Sequence, residues 1–157
     1  MIEVPKYSLL EIERRWLVDL DKVDLSGAPC REIEDLYIAG SRLRLRKISG
    51  AQESTFKLGM KYGKRTPLTE PITNLYLTES EYGLLSSLPG TRTRKRRYAL
   101  EGGSVDVYVA PRAGVAVFEV EFESERAALD FVPPAFVTRE ITNEPALSGL
   151  SLASDES

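Results

Sequence analysis

A chain of 157 residues, 42% of them apolar, is long enough to bury a core of its own and too apolar to be disordered. Its 24 acids and 21 bases leave a net charge of only −3, so the chain as a whole is no magnet for polyanions. Histidine is absent, which removes Ser-His-Asp, Cys-His and every His-ligated zinc site, and the single cysteine, Cys30, excludes an intramolecular disulfide.

No long apolar run is present, and the N-terminus carries Glu3 and Pro5 instead of a signal-peptide profile. A cytoplasmic protein without a membrane partner is therefore expected.

Alternation predicts the first strand over Leu9 to Val18. It sends Glu11, Glu13 and Arg15 to one face and Leu10, Ile12, Trp16 and Val18 to the other. Carboxylates two residues apart on a strand lie about 6–7 Å from each other and repel by roughly 2–3 kcal/mol at an effective dielectric near 20. Water on a solvated face offsets that, and so does a divalent metal held between the acids and phosphate oxygens. The polar segment Asp19 to Pro29 ends this strand. A second is expected over Cys30 to Ile38, a third over Arg42 to Ile48, and a fourth over Glu53 to Tyr62 with Phe56, Leu58, Met60 and Tyr62 opposite Thr55, Lys57 and Lys61. A fifth follows over Leu68 to Leu77, where Pro71 suits an edge or a bulge better than a central ladder position.

Thr78 and Glu81 then form a capping box, Leu77 and Tyr82 have the spacing of a hydrophobic staple, and Leu84, Leu85 and Leu88 supply a buried helix face up to Pro89-Gly90. Three meander strands are expected over Arg92 to Leu100, Ser104 to Ala110 and Val115 to Glu123. Ser124 caps a short helix ending near Phe131, and a last strand around Val137 to Ile141 precedes a helical turn from Pro145.

Bases cluster at Arg42 to Lys47 and Arg92 to Arg97, acids at Glu11/Glu13 and Glu119/Glu121/Glu123. Each strand tends to carry one sign on one face with an apolar face behind it. Phe118, Val120 and Phe122 stand behind Glu119 and Glu121, for example, and Val105, Val107 and Val109 behind Asp106 and Tyr108. That is the pattern of an α+β fold, mainly antiparallel β, in which a closed barrel is polar inside and has helices packed outside. Arg92, Arg94 and Arg96 share the Tyr98 side and are expected outside. The run from Arg92 to Arg97 lacks interleaved aromatics and splits its charges between both faces, which argues against a nucleic-acid partner.

Glu11-x-Glu13-x-Arg15, Arg44-x-Arg46, Phe56-Lys57, Lys95-x-Arg97-Tyr98, Asp106-Val107-Tyr108, Phe118 to Phe122 and Glu140-Ile141-Thr142 occur in an order that resembles the CYTH superfamily, the triphosphate tunnel metalloenzymes. The resemblance runs from about Tyr7 to Ala153 and implies one domain over 1–157, ordered from about 7 to 153. It implies a closed eight-stranded antiparallel tunnel that binds a small triphosphate or polyphosphate with Mg²⁺ or Mn²⁺ and hydrolyses it, most simply inorganic triphosphate. A non-hydrolytic triphosphate-binding module is the alternative, and an adenylyl cyclase a more distant one; a homodimer is left open.

On this resemblance Arg42, Arg44, Arg46, Lys57, Lys95 and Arg97 are the phosphate-binding candidates, because guanidinium forks match phosphate oxygens. Glu119 and Glu121, helped by Glu11 and Glu13, are the metal candidates, with Asp106 as a ligand or as an orienter of a basic group. Glu11, Glu13 and Arg15 are the catalytic candidates. The first-strand signature of the family ends in Lys, proposed as a base that activates water, whereas Arg15 cannot lose its proton near neutral pH. The tail has Leu147 and Gly149 where many members have Tyr and Asn.

Overall fold

The computed structural model describes residues 4–154. Nine strands form one antiparallel sheet: β1 (Leu9–Val18), β2 (Cys30–Ile38), β3 (Leu43–Ser49), β4 (Ser54–Lys61), β5 (Thr69–Leu77), β6 (Gly90–Leu100), β7 (Gly103–Ala110), β8 (Ala116–Glu121) and β9 (Val137–Glu140). The order is β5-β4-β3-β2-β6-β7-β8-β1, and pairing of β1 with β5 closes these eight strands into a barrel. Three short helices, α1 (Glu79–Leu85), α2 (Glu125–Asp130) and α3 (Gly149–Ala153), complete the fold.

Closure depends on how β1 divides one edge. Residues Leu9 to Ile12 pair with β5, and Trp16 to Val18 pair with β9, while β8 occupies the opposite edge. Pro71 sits inside this closure instead of at the expected edge or bulge. It lies opposite Leu10 with its side chain fully buried, and its carbonyl accepts the Tyr62 N–H. The ladder tolerates it because the carbonyl that a residue-71 N–H would serve, that of Tyr62, accepts from Arg65 Nη1 at 3.3 Å.

Most apolar packing lies between the barrel wall and its covering segments, as the alternation requires. Trp16, Val105, Phe118, Val120 and Phe136 form one buried cluster, joined by Phe122 and Phe131. Phe118 packs edge-on to Phe136 at 5.3 Å between centroids. On the far side Leu36, Ile38 and Leu45 are covered by Leu77, Tyr82 and Leu85 around α1, and both halves of the Thr78/Glu81 capping box are present. Leu84 departs from expectation: it is 77% exposed, and Leu88 lies beyond the helix at 40%. A seven-residue helix presents too narrow a stripe to bury all three leucines.

A third cluster closes one end of the barrel. Tyr108 and Val117, together with Leu17, meet Ile141, Leu147 and Leu152 from the C-terminal segment. Gly149 lies so close to the Tyr37 hydroxyl that a Cβ there would sit 2.3 Å from it.

The lumen itself is polar. Asp35 on β2 and Arg46 on β3, 3% and 7% exposed, form a two-pronged pair at 2.7 Å for each hydrogen bond. Burial alone would push the Asp35 carboxyl up, but the Arg46 charge and hydrogen bonds outweigh it and hold the pKa at about 2 against an ordinary 3.8.

Two stability predictions follow from this packing. Phe118→Ala is expected to lower the stability to urea by about 3–5 kcal/mol, read as a shifted midpoint at an unchanged slope. Asp35→Asn strands a buried guanidinium and is expected to cost about 3–5 kcal/mol at neutral pH. Because the folded pKa is depressed, the stabilisation from Asp35 is complete above its ordinary pKa and is lost as pH falls toward about 2. Urea titrations across that window therefore show a shallower acid decline in the Asn variant than in the wild type.

Candidate active site

Alternation on the closed barrel turns Glu11, Glu13 and Arg15 of β1, Arg44 and Arg46 of β3, Lys57, Gly59 and Lys61 of β4, Lys95 and Arg97 of β6, Asp106 and Tyr108 of β7 and Glu119 and Glu121 of β8 toward one lumen. Within it the acids divide into two sets with different partners.

Glu11, Glu13 and Glu121 each offer a carboxylate oxygen within 4.8 Å of the others, the register setting Glu13 directly opposite Glu121. At that separation each ionised pair repels by about 3.5 kcal/mol at an effective dielectric of 20. Burial first, and then Glu119 and Glu11, push the Glu13 carboxyl up to about 8; burial with Glu11 and Glu119 also raises Glu121. Among the described residues neither Glu13 nor Glu121 has an ion-pair partner within 4.0 Å. Three hard oxygen donors short of counter-charge suit a divalent cation such as Mg²⁺ or Mn²⁺.

The second set is already matched by cations. Asp106, fully buried, accepts from Arg97 Nε and Nη2 at 2.7 and 2.8 Å and pairs with Lys95 Nζ at 2.8 Å. Glu119 accepts from Arg15 Nε at 3.0 Å and Arg97 Nη2 at 3.4 Å. Burial opposes its ionisation, but Lys95, Arg15 and Arg97 hold its carboxyl well below the usual carboxylate range. Glu119, expected as a metal ligand, and Asp106, expected as a ligand or as an orienter of a basic group, thus face guanidinium and ammonium groups, whereas Glu121, Glu11 and Glu13 face one another, with Lys61 on Glu11.

Arg15 is pinned. Besides Glu119 it donates from Nη1 to the Leu147 carbonyl at 3.0 Å, and its own N–H donates to Thr142 Oγ1. Burial opposes its charge, but Glu119 and Glu13 outweigh that and raise its pKa further. It ties the first strand to the segment closing the barrel end.

Opposite the acid trio lie donors with capacity to spare. Among the described residues Arg44 Nε is buried without a hydrogen-bond partner, and burial together with the Arg46 charge lowers the Arg44 pKa. Gly59 leaves space beside it, chiefly for Asn74: a Cβ there would sit 2.7 Å from Asn74 Oδ1 and 3.4 Å from Arg44 Nη2. Arg46 and Arg97 use Nε and Nη2 on their carboxylates, and among the described residues Nη1 of each makes no hydrogen bond. Lys57 lies toward the open end, 5.6 Å from the centroid of the exposed Tyr76 ring. Arg42 is set apart: it precedes β3, is exposed, and lies over the Tyr62 ring. Arg94 and Arg96 are exposed on the outer face.

Two residues were not singled out by the sequence pattern. Lys61 Nζ lies 3.0 Å from Glu11 Oε1, and Asp35 anchors Arg46. Lys61 shares the face of Lys57 four residues earlier, which was the available signal. Glu70 pairs in register with Glu11, but its carboxylate turns to the N–H of Gly63 in the loop that precedes β5.

No protein-family model matches the chain, and a search of curated proteins returned no match. Among solved structures, the crystal structure of the inorganic triphosphatase NE1496 matches at 24% identity with a TM-score of 0.60, covering 91% of this chain and 97% of that one. A second structure of NE1496, described as a hypothetical protein, matches at 23% identity and 0.61 over 91% and 96%. PH1819 of Pyrococcus horikoshii OT3 is similar at 16% identity and 0.51 over 74% and 81%. Among the described residues no helix is long and apolar enough to cross a membrane. The chain therefore has the closed-barrel fold expected from its resemblance to the triphosphate tunnel metalloenzymes.

Proposed function

We propose that residues from about 7 to 153 form one triphosphate tunnel domain that hydrolyses a small triphosphate, most simply inorganic triphosphate, with Mg²⁺ or Mn²⁺. The observation that carries this reading is the meeting, in one lumen, of three carboxylates with a single ammonium, Lys61 on Glu11, and guanidinium donors that lack acceptors among the described residues. An anion and a divalent cation bound together satisfy both. The fold shared with NE1496, an inorganic triphosphatase, supports the same reading.

In this proposal Glu11, Glu13 and Glu121 hold the cation, which when bound supplies Lewis-acid stabilisation of charge on the phosphoryl group. Arg44 meets the phosphate chain through its free Nε, and Arg46 and Arg97 through Nη1; Lys57 attracts it at the mouth. Asp35 and Asp106 keep two of these guanidiniums in place, and Lys95 completes the charge around Asp106. Glu13 takes a proton from the attacking water, whose oxygen bonds to the terminal phosphorus as that phosphorus's bond to the bridging oxygen breaks and diphosphate leaves; the proton then passes to solvent. Arg15 orients Glu119 and takes no proton.

The fixed protonation of Arg15 favours one second reading, a module that captures triphosphate without turning it over. Phosphate release from inorganic triphosphate with added Mg²⁺ or Mn²⁺ separates the two. Release is expected; measurable binding with no release under either metal assigns the chain to the binding module. Arg44→Ala is expected to weaken triphosphate affinity about tenfold or more, and Glu13→Gln combined with Glu121→Gln to abolish the metal response. A double variant with unaltered metal dependence would overturn the ligand assignment.

A further inference from the structure

Lys61 is the one cation placed directly on the carboxylate trio among the described residues, its Nζ 3.0 Å from Glu11 Oε1. Among the described residues the ammonium makes no second hydrogen bond or ion pair, 46% of its side chain is exposed, and a four-carbon stem gives it reach. Arg15, the other basic group next to the acids, is by contrast held by Glu119 and the Leu147 carbonyl. The two cations of this corner therefore differ in freedom: one is fastened, the other can change partners.

A divalent cation seated among Glu11, Glu13 and Glu121 draws on the same Glu11 carboxylate that Lys61 holds, and its charge repels the ammonium. The same lumen carries the guanidinium donors that await an anion, Arg44 foremost. We propose that Lys61 is a resident counter-cation of the carboxylate trio, displaced from Glu11 when the divalent cation enters and then bound to a phosphoryl oxygen of the substrate. The inference rests on the reading of the site given above. It assigns Lys61 a positioning role that couples metal entry to phosphate capture: the ammonium lowers affinity for the metal alone and raises affinity for the triphosphate once the metal is in place.

The test uses the full chain without substrate and follows Mn²⁺ binding through the electron paramagnetic resonance of the free ion. Lys61→Met and Lys61→Gln are each expected to bind Mn²⁺ about fivefold more tightly than the wild type, and Lys61→Arg to stay within about twofold of it. At saturating Mn²⁺, calorimetric titration with inorganic triphosphate is expected to show about tenfold weaker binding in the Met and Gln variants. Circular dichroism checks folding, and the Gln variant serves if the Met variant does not fold. Unchanged or weaker Mn²⁺ binding in the folded variants overturns the competition, and unchanged triphosphate affinity overturns the transfer to phosphate. A wild type that takes up no Mn²⁺ overturns the metal-site reading itself and this inference with it, whereas a wild type that binds Mn²⁺ beside indistinguishable variants sinks only the role of Lys61.

Discussion

Closing eight strands around a lumen brings their inward side chains within reach of one another, and in this chain those side chains are charged. Everything else about the interior depends on how that charge is matched. Isolated charges taken out of water cost several kcal/mol each, so the barrel is compatible only with paired or hydrated groups. Asp35 takes Arg46, Asp106 takes Arg97 and Lys95, and Glu119 takes Arg15. Such pairs add little net stability compared with apolar packing, and their value lies in fixing where each guanidinium points. Stability comes from outside the lumen, where Trp16, Phe118 and Phe136 pack behind the acidic strands and Leu36, Ile38 and Leu45 pack beneath α1.

Matching is deliberately incomplete in two places that face each other. The Glu11/Glu13/Glu121 trio has one ammonium, Lys61, against three carboxylates, and among the described residues Arg44 Nε lacks an acceptor. Fixed dipoles and charges aimed at a site before the ligand arrives stabilise developing charge without reorganisation. The proposed function uses the two walls in this way. The geometry also separates two basic roles on the acidic side: Arg15 fastens β1 to the segment that closes the barrel end, and Lys61 sits on the trio itself with half its side chain free.

Much of the fold was legible in the residues. Alternation distinguishes Phe118 from Glu119 and Val105 from Asp106 because side chains on a strand have a period of two. The Thr78/Glu81 box marks a helix start because backbone N–H groups there lack partners. Other features escaped for equally physical reasons. Leu84 was expected in a buried face, but α1 ends after seven residues and exposes it. Pro71 read as suited to an edge or a bulge, since nothing local announces that Arg65 will cap the Tyr62 carbonyl left over in the ladder. Arg42 has the spacing of Arg44 and Arg46, yet it lies before the strand begins and turns to Tyr62.

What the sequence by itself determined is which face of each strand is charged and which is apolar, and hence that the strands enclose a polar interior with helices outside. That information is local, carried by residues two apart on one strand. Which charges meet across the lumen was decided only by the tertiary structure. The register of β1 against β8 sets Glu13 opposite Glu121 and Arg15 opposite Glu119, so neighbouring acids on one strand acquire different partners. Closure through β5 then brings Lys61 of β4 onto Glu11 across a separation of 50 residues. Coulomb energy depends on distance in space, and a strand pattern specifies direction without distance.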